Sequence, residues 1–315
     1  MFKITFGCVF QMFTLMSFSS PAMITSNISA KYPLRISNGE PAYLGEIPYQ
    51  IALKLASDSF RFRYYTICGG ALIGNSKILT AAHCFFSEKA RGRVCDCSDD
   101  ERIQLSRLCA VAGTLRNIGY YGWDGGVEQW RRLNVTVIHP SFKFPDNDIA
   151  VVYTKHPFVM NVYVKTLPYA RRNQNYGSAL CKISGYGRIS ASITSDSLLW
   201  ANLSLIPNDY CDGIHRRSMQ KFICTSSDHS DVLQGDSGGP LVCRVSESGV
   251  QEDVVVGVVC GVRLGYGSFF TRVSSYSDFV SRSISTRLKT TCLYILLTNY
   301  IRVLLILLLF SYSHT

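Results

Sequence analysis

Charged residues are scarce in this chain of 315 residues. Asp, Glu, Lys and Arg make up 17% of it, whereas hydrophobic residues make up 47%. Internal repeats and low-complexity linkers are also lacking. A chain with so little charge is not a disordered polyelectrolyte, and it has enough hydrophobic residues for a sizeable core. Its length allows one large domain or two small ones.

A broad basic surface is missing as well, although the formal net charge is +10. Seven of the 32 basic residues lie near the two ends of the chain, outside residues 36–281. All 22 acidic residues lie within that span, which leaves it a net charge of only +3. A domain with this charge has no continuous basic face for a phosphate backbone, so the sequence argues against a nucleic-acid partner.

The first residues have the pattern of a secretory signal peptide. Lys3 precedes an apolar stretch over residues 4–18, and small residues follow it. The stretch is short for a membrane span. We therefore expect a signal peptide over residues 1–22 and an extracellular, oxidising location, which suits twelve cysteines. Three glycosylation sequons agree with secretion, and they begin at Asn27, Asn134 and Asn202.

The C-terminal tail, residues 289–315, is apolar and contains an unbroken run from Val303 to Phe310. Three interpretations of residues 292–312 remain open: a poor membrane span, a cleaved lipid-anchor signal, or a misassigned terminal exon. Arg302 weakens the first, since an arginine near a bilayer centre costs at least about 2.5 kcal/mol. A packed helix is disfavoured, because the apolar residues do not form a stripe.

Short β-type segments dominate the middle of the chain. Residues 49–53, 133–138 and 254–259 are examples, and Gly, Pro, Asn and Asp clusters separate such segments. Only residues 276–284 have a helical pattern, with Phe279, Val280 and Ile284 available to dock it. The sequence therefore predicts an all-β fold with one C-terminal helix.

Three segments carry residues suited to catalysis. His83 lies in Thr80–Cys84, Asp148 precedes an apolar strand, and Ser237 lies in the glycine-rich segment Gly235–Pro240. Each alone has an ordinary structural explanation as a core, turn or loop residue. Together they supply the parts of a nucleophilic hydrolase.

The chemistry explains why these residue types belong together. A serine hydroxyl is a weak nucleophile at neutral pH, so a base must take its proton during attack. Histidine suits this role, and a carboxylate holds its ring and stabilises the imidazolium. Glycines beside the serine allow a sharp turn that aims backbone N–H groups at a developing oxyanion.

With these motifs in the order His, Asp, Ser, the chain resembles the trypsin/chymotrypsin-like serine endopeptidases over residues 36–287. The resemblance implies two packed six-stranded antiparallel β-barrels with a C-terminal helix. It also implies a peptidase domain over residues 36–288, with His83 as general base, Asp148 as its orienting partner and Ser237 as nucleophile. The amides of Gly235 and Ser237 would form the oxyanion hole.

The resemblance further implies a zymogen. A propeptide over residues 23–35 would be cut after Arg35, and the new ammonium group of Ile36 would pair with Asp236. Ser37 and Asn38 depart from the residues that the family usually has after the cut. The physical logic is that a buried carboxylate without a partner is costly, so the pairing drives ordering.

The family pattern also implies disulfide bonds. Leu233 stands where the family usually has a cysteine, and the partner cysteine is missing too, so one bridge at the specificity pocket is absent. Cys95 or Cys97 would pair with Cys109, and Cys260 replaces a serine near the triad and is interpreted as a small buried hydrophobe. The implied pairs are Cys68–Cys84, Cys181–Cys243 and Cys211–Cys224.

Substrate preference depends on charge and on shape. Asp231, six residues before Ser237, occupies the position of the acid that favours Lys or Arg in trypsins. Val262 and Ser268 occupy positions where trypsins have glycine, and Val232 adds bulk beside Asp231. Basic specificity is therefore modestly favoured over small apolar residues.

We expect no cofactor and no metal. In the segment that resembles the family's calcium loop, Glu128 fits one ligand position, but Thr114 stands where a carboxylate is expected. The expected partners are a protein or peptide substrate, an activating protease and a protein inhibitor. The competing hypothesis is a catalytically weak homologue that acts by binding.

Overall fold

The computed structural model describes residues 39–86, 102–122, 126–177, 180–188, 193–228, 230–247, 250–263 and 265–282. The expected signal peptide, the propeptide with Arg35 and Ile36, Cys95, Cys97 and the C-terminal tail all lie outside these residues. Among the described residues, no helix combines the length and the apolar character needed to cross a bilayer.

The fold consists of two antiparallel β-barrels, as the resemblance implied. In the first barrel the strands follow the order β2–β5–β7–β8–β4–β3, and β2 pairs with β3 to close it. A short strand, β6 (Ile118–Tyr120), adds to β3 outside the ring. The six strands are β2 (Gln50–Ala56), β3 (Arg63–Gly74), β4 (Lys77–Thr80), β5 (Leu108–Ala112), β7 (Gln129–Ile138) and β8 (Ala150–Thr154).

The second barrel repeats the plan with the order β10–β11–β14–β13–β12–β9, and β9 pairs with β10 to close it. The N-terminal strand β1 (Glu40–Pro41) adds to β10. The six strands are β9 (Leu180–Gly185), β10 (Leu199–Ile206), β11 (Phe222–Thr225), β12 (Pro240–Glu247), β13 (Val250–Arg263) and β14 (Gly267–Arg272).

Strand formation follows from the local sequences. The predicted segments 49–53, 133–138 and 254–259 fall within or overlap β2, β7 and β13. β-branched residues fit the pleated, half-buried surface of a sheet, and β8 is buried along its whole length. Closing each sheet leaves no unpaired edge within the ring, which explains how so many short strands form a stable structure.

Helices are few and short among the described residues. Helix α1 (Asn208–His215) leads into the second barrel's β11, and α2 (Ser277–Arg282) follows a 3-10 turn at Val273–Tyr276. The position of α2 agrees with the predicted C-terminal helix, and Val280 is fully buried in the large core cluster. The Lys77 ammonium also donates to the carbonyl of Val280 at 2.5 Å.

The two barrels contact each other through hydrogen bonds at their facing sides. The amide of Gly69 in β3 donates to the carbonyl of Ser237 at 2.8 Å. The hydroxyl of Ser184 in β9 donates to the side-chain oxygen of Gln50 in β2 at 2.6 Å. These contacts place the segment that carries Ser237 against the first barrel.

Candidate active site

His83 and Asp148 lie at the ends of two neighbouring strands of the first barrel. His83 is in a 3-10 helix, Ala82–Phe85, that begins just after β4. Asp148 lies just before β8, and the last residue of β4 pairs with the first residue of β8. The antiparallel pairing of these strands therefore brings together two residues that are 65 positions apart in the sequence.

The contact between the two side chains is short and buried. Nδ1 of His83 lies 2.6 Å from Oδ2 of Asp148, and the backbone amide of His83 donates to Oδ1 at 2.9 Å. Asp148 is fully buried. A carboxylate only accepts, so Nδ1 carries the proton in this contact, and Nε2 remains a basic nitrogen able to accept one.

The turn that carries Ser237 packs against the helix of His83. A methyl group at Gly238 would lie 2.3 Å from Oγ1 of Thr80 and 3.0 Å from Sγ of Cys84. The amide of Gly238 also donates to the carbonyl of Val259 at 2.9 Å. Only glycine allows this close approach, and it brings the Ser237 segment alongside the histidine.

Two backbone amides in this turn are free to bind an anion. Gly235 has a φ of +105°, and a methyl group there would lie 2.9 Å from Cα of Gly187. Across the described part of the chain, neither the amide of Gly235 nor that of Ser237 donates to a protein acceptor. These two N–H groups, one before and one after Asp236, are the donors that the expected oxyanion hole would use.

Asp236 points away from solvent and is held by the backbone. The amide of Gly187 donates to its Oδ1 at 2.8 Å, and the amide of Leu233 donates to its Oδ2 at 3.0 Å. Burial raises the pKa of this carboxyl to about 6, against the lowering effect of the two amide bonds. A methyl group at Gly185 or Gly187 would collide with its carboxylate. Sequence reasoning missed these two glycines, because their closeness to Asp236 joins residues about 50 positions apart in the chain.

The expected specificity residues lie near one another. The Ser268 hydroxyl donates to Oδ1 of Asp231 at 2.6 Å and accepts from the amide of Val232 at 3.0 Å. Val262 on β13 lies directly opposite Ser268 on β14. Val232 is buried in the core of the second barrel, and Val262 packs partly against that core. Desolvation raises the pKa of Asp231 to about 6.

Three disulfides join the pairs that the resemblance implied: Cys68–Cys84, Cys181–Cys243 and Cys211–Cys224. The first ties the helix of His83 to β3. Cys109, the expected partner of Cys95 or Cys97, is a free, buried thiol within β5, whereas Cys95 and Cys97 lie outside the described residues. His83 lies close to Cys68 and Cys84, and His215 lies close to Cys211 and Cys224, as in a metal site. All four of these cysteines are in disulfide bonds, so they offer no thiolate ligand.

Cys260 is a free thiol buried next to the catalytic candidates. Its surroundings agree with a small buried residue, because it is only 3% exposed and packs in a core cluster with Phe222. Burial and the neighbouring Asp148 raise its pKa well above the usual value. The thiol is therefore neutral at physiological pH.

The region that resembles a calcium loop is held by side chains. Glu128 accepts from the Thr114 hydroxyl at 2.7 Å, from Nε of Arg116 at 3.1 Å and from the Trp130 indole at 3.1 Å. Arg116 and Glu128 thus form an ion pair, with Nη2 of Arg116 at 3.0 Å from Oε1 of Glu128.

Sequence reasoning also missed Lys54. Its side chain is fully buried, and its Nζ donates to the carbonyls of Arg116 at 2.6 Å and Asn117 at 2.7 Å. A lysine between Leu53 and Leu55, in an apolar part of strand β2, was the available signal.

Comparison with known proteins agrees with this architecture. The trypsin family model matches residues 36–280. The mouse (Mus musculus) protein named tryptase is 26% identical over 78% of the chain, which covers 87% of that protein. Complement factor I of Rattus norvegicus is 30% identical over 78% of the chain, and the venom peptide isomerase heavy chain of Agelenopsis aperta is 29% identical over 79%.

The coverage of the relatives differs widely. The chain spans 38% of complement factor I but the whole length of the venom peptide isomerase heavy chain. The similarity to the longer relative therefore concerns one part of that protein.

Proposed function

The chain belongs to the trypsin family of serine peptidases, and on that premise we propose that it is a serine endopeptidase acting on protein or peptide substrates. Ser237 is the proposed nucleophile, His83 the general base and Asp148 the group that orients the imidazole. The observation that carries the proposal is the buried 2.6 Å contact between His83 and Asp148 beside a turn with two open amides.

The proposed reaction proceeds through an acyl-enzyme. Nε2 of His83 takes the hydroxyl proton as Oγ of Ser237 attacks the scissile carbonyl carbon. The amides of Gly235 and Ser237 hold the oxyanion, and the imidazolium returns the proton to the leaving amine. Nε2 of His83 then takes a proton from a water that attacks the acyl carbon, and the imidazolium returns that proton to Oγ of Ser237 as the ester bond breaks and the acid product leaves. Asp148 keeps Nδ1 protonated and stabilises the imidazolium throughout.

We propose activation by cleavage after Arg35. The new ammonium group of Ile36 would pair with Asp236, whose buried carboxylate has two amide donors. A charge partner would offset the cost of burying this group, and the adjacent Gly235 amide would be ordered with it. An activating protease and a protein inhibitor are the proposed partners.

For specificity we propose cleavage after Lys or Arg, with small apolar residues as the alternative. Asp231 supports the first, because an anion at the pocket base attracts a cationic side chain. Val262 supports the second, because it lies opposite Ser268 and has a bulkier side chain than the glycine that trypsins have at this position. Peptide substrates with Arg, Lys, Ala, Val or Phe before the scissile bond distinguish these outcomes.

A second candidate is a catalytically weak homologue that acts by binding. Cys260 beside Asp148 and the bridge missing at Leu233 favour it, since an error of about 1 Å in a site costs about 100-fold in rate.

Fluorophosphonate labelling tests the function directly. After cleavage at Arg35, we expect covalent labelling of the wild-type protein and none of Ser237→Ala. Equal labelling of both would contradict the assignment of the nucleophile, and no labelling of either would favour the binding homologue.

We propose an extracellular location, with residues 292–312 as a candidate membrane tether. Exposed asparagines at the sequon positions Asn134 and Asn202 support glycosylation. Release of activity from cells by phospholipase or detergent, but not by salt, would support the tether. Activity in the medium alone would contradict it.

A further inference from the structure

A cleft of about 620 Å³ lies in the second half of the chain, lined by none of the proposed catalytic residues. Its walls come from the loop 173–177, from residues 205–208 at the junction of β10 and α1, and from Arg272 at the end of β14. A cleft of this size accommodates a small polar ligand. Five lining residues carry carboxamides, namely Asn173, Gln174, Asn175, Asn208 and Gln220.

Arg272 gives the cleft its charge. The residue is 8% exposed, and its Nε and Nη2 groups donate to the backbone carbonyls of Gln220 and Phe222. Nη2 also donates to Oδ1 of Asn208 at 2.9 Å. These partners are all neutral, and no acidic residue is among the described residues of the lining. A guanidinium remains protonated in proteins, so the cleft wall carries an unneutralised positive charge.

Nη1 of Arg272 can donate a further hydrogen bond. Its contact within the described part of the chain is a long one, 3.3 Å to Oδ1 of Asn173. Because that oxygen is engaged, the Asn173 side chain presents its NH₂ group as a donor. The two residues together therefore present donors only. An acceptor-only anion complements them, and the two oxygens of a carboxylate can accept one N–H from Nη1 of Arg272 and one from the Asn173 side chain.

The other side chains define the rest of the ligand. Gln174 and Gln220 both donate and accept, which suits hydroxyl groups that do the same. Leu205 and Ile223 add apolar surface to the lining. We propose that this cleft binds a carboxylate-bearing saccharide, with the carboxylate on Arg272 and Asn173 and the ring hydroxyls on Gln174 and Gln220.

Calorimetric titration of the full-length Ser237→Ala protein tests this proposal without self-digestion. D-glucuronate is the probe. The matched ligands are D-glucose, which lacks the carboxylate, and acetate, which keeps a carboxylate but lacks the sugar ring. We expect glucuronate to bind at least about tenfold more tightly than either one, since each loses charge-assisted or hydroxyl hydrogen bonds. Absence of glucuronate binding would overturn the proposal.

Variants locate the site. Asn173→Leu and Gln220→Ala are expected to weaken glucuronate binding by about five- to tenfold each. Gln251→Ala, an exposed glutamine on β13 outside the cleft, is the control and should leave binding unchanged. Unchanged binding in both cleft variants would overturn the location. Equal affinity for glucose would overturn the carboxylate contact, and equal affinity for acetate would overturn the saccharide assignment.

Discussion

At the residue scale, the competition between charge and shape at Asp231 decides substrate preference. The carboxylate is partly buried, and its Oδ1 accepts from the Ser268 hydroxyl at 2.6 Å. Desolvation raises its pKa to about 6 despite that bond. The group is therefore charged at neutral pH and neutral in mild acid.

The first prediction concerns the pH dependence of specificity. Protonation of Asp231 below about pH 6 removes its attraction for a cation, so the ratio of kcat/KM for an Arg substrate to that for an Ala substrate should fall there. Using the ratio removes effects common to both substrates, including titration of the triad. Asp231→Ser should lower the ratio and remove its pH dependence. If the ratio stays constant from about pH 5 to about pH 8, this role of Asp231 is contradicted.

The second prediction concerns Gly235. Its φ of +105° and the 2.9 Å approach to Gly187 leave no room for a methyl group, so Gly235→Ala should displace the open amide. We expect kcat to fall about 100-fold or more, as when an oxyanion donor is lost. Gly213→Ala is the control, because a methyl group there meets no atom within 4 Å. Similar kcat values for the two variants would contradict the assignment.

At the scale of elements, the short helix that carries His83 depends on its connection to β3. The Cys68–Cys84 bond spans 16 residues, and Cys84 also contacts the turn of Ser237 through Gly238. The Cys211–Cys224 bond closes a similar loop of 13 residues between α1 and β11. The two bonds therefore close loops of similar length, but only the first includes a cysteine, Cys84, that is adjacent to His83 in the chain.

The third prediction compares these two bonds. Replacing both cysteines of either bond with alanine should lower the free energy of unfolding by about 3 kcal/mol, because the loops are of similar length. Only the Cys68→Ala/Cys84→Ala variant should also lose most of its kcat, measured where both variants are folded. If the Cys211→Ala/Cys224→Ala variant lost equal activity, the first bond would have no special role in positioning His83.

At the scale of the whole molecule, the buried residue Lys54 contributes to the hydrogen bonds that connect the two barrels. Lys54 holds the carbonyls of Arg116 and Asn117, and the Asn117 amide group donates to the carbonyls of Tyr186 and Ser195. Gly187, which follows Tyr186 in the chain, donates its backbone amide to Oδ1 of Asp236. Burial lowers the pKa of Lys54 to about 7, whereas Glu128 acts in the opposite direction and Arg116 in the same one.

The fourth prediction follows from that pKa. Between about pH 7 and the ordinary lysine pKa near 10.5, Lys54 binds a proton in the unfolded chain but not in the folded one. The contribution of Lys54 to the free energy of unfolding therefore rises with pH in this range. The increase has an upper limit of about 1.4 kcal/mol per pH unit. We expect the free energy of unfolding of wild type minus that of Lys54→Met to rise from pH 7 to pH 9 in urea titrations.

Taking the difference between the two proteins cancels the other titrating groups. The buried thiols of Cys109 and Cys260 have raised pKa values and act in the opposite direction as pH rises, in both proteins alike. A difference that does not change with pH would contradict the lowered pKa of Lys54.

The sequence by itself determined the family, the all-β architecture and the terminal helix, because motifs and strand patterns are local features of the order of residues. The three disulfide pairs were implied by the resemblance to the family. The sequence did not predict the free thiol of Cys109, the buried Lys54 or the glycines that make room for Asp236. Each depends on which strand lies beside which. Only the tertiary structure decided those neighbours, since burial and hydrogen bonding between residues far apart in the chain arise when the barrels close and meet.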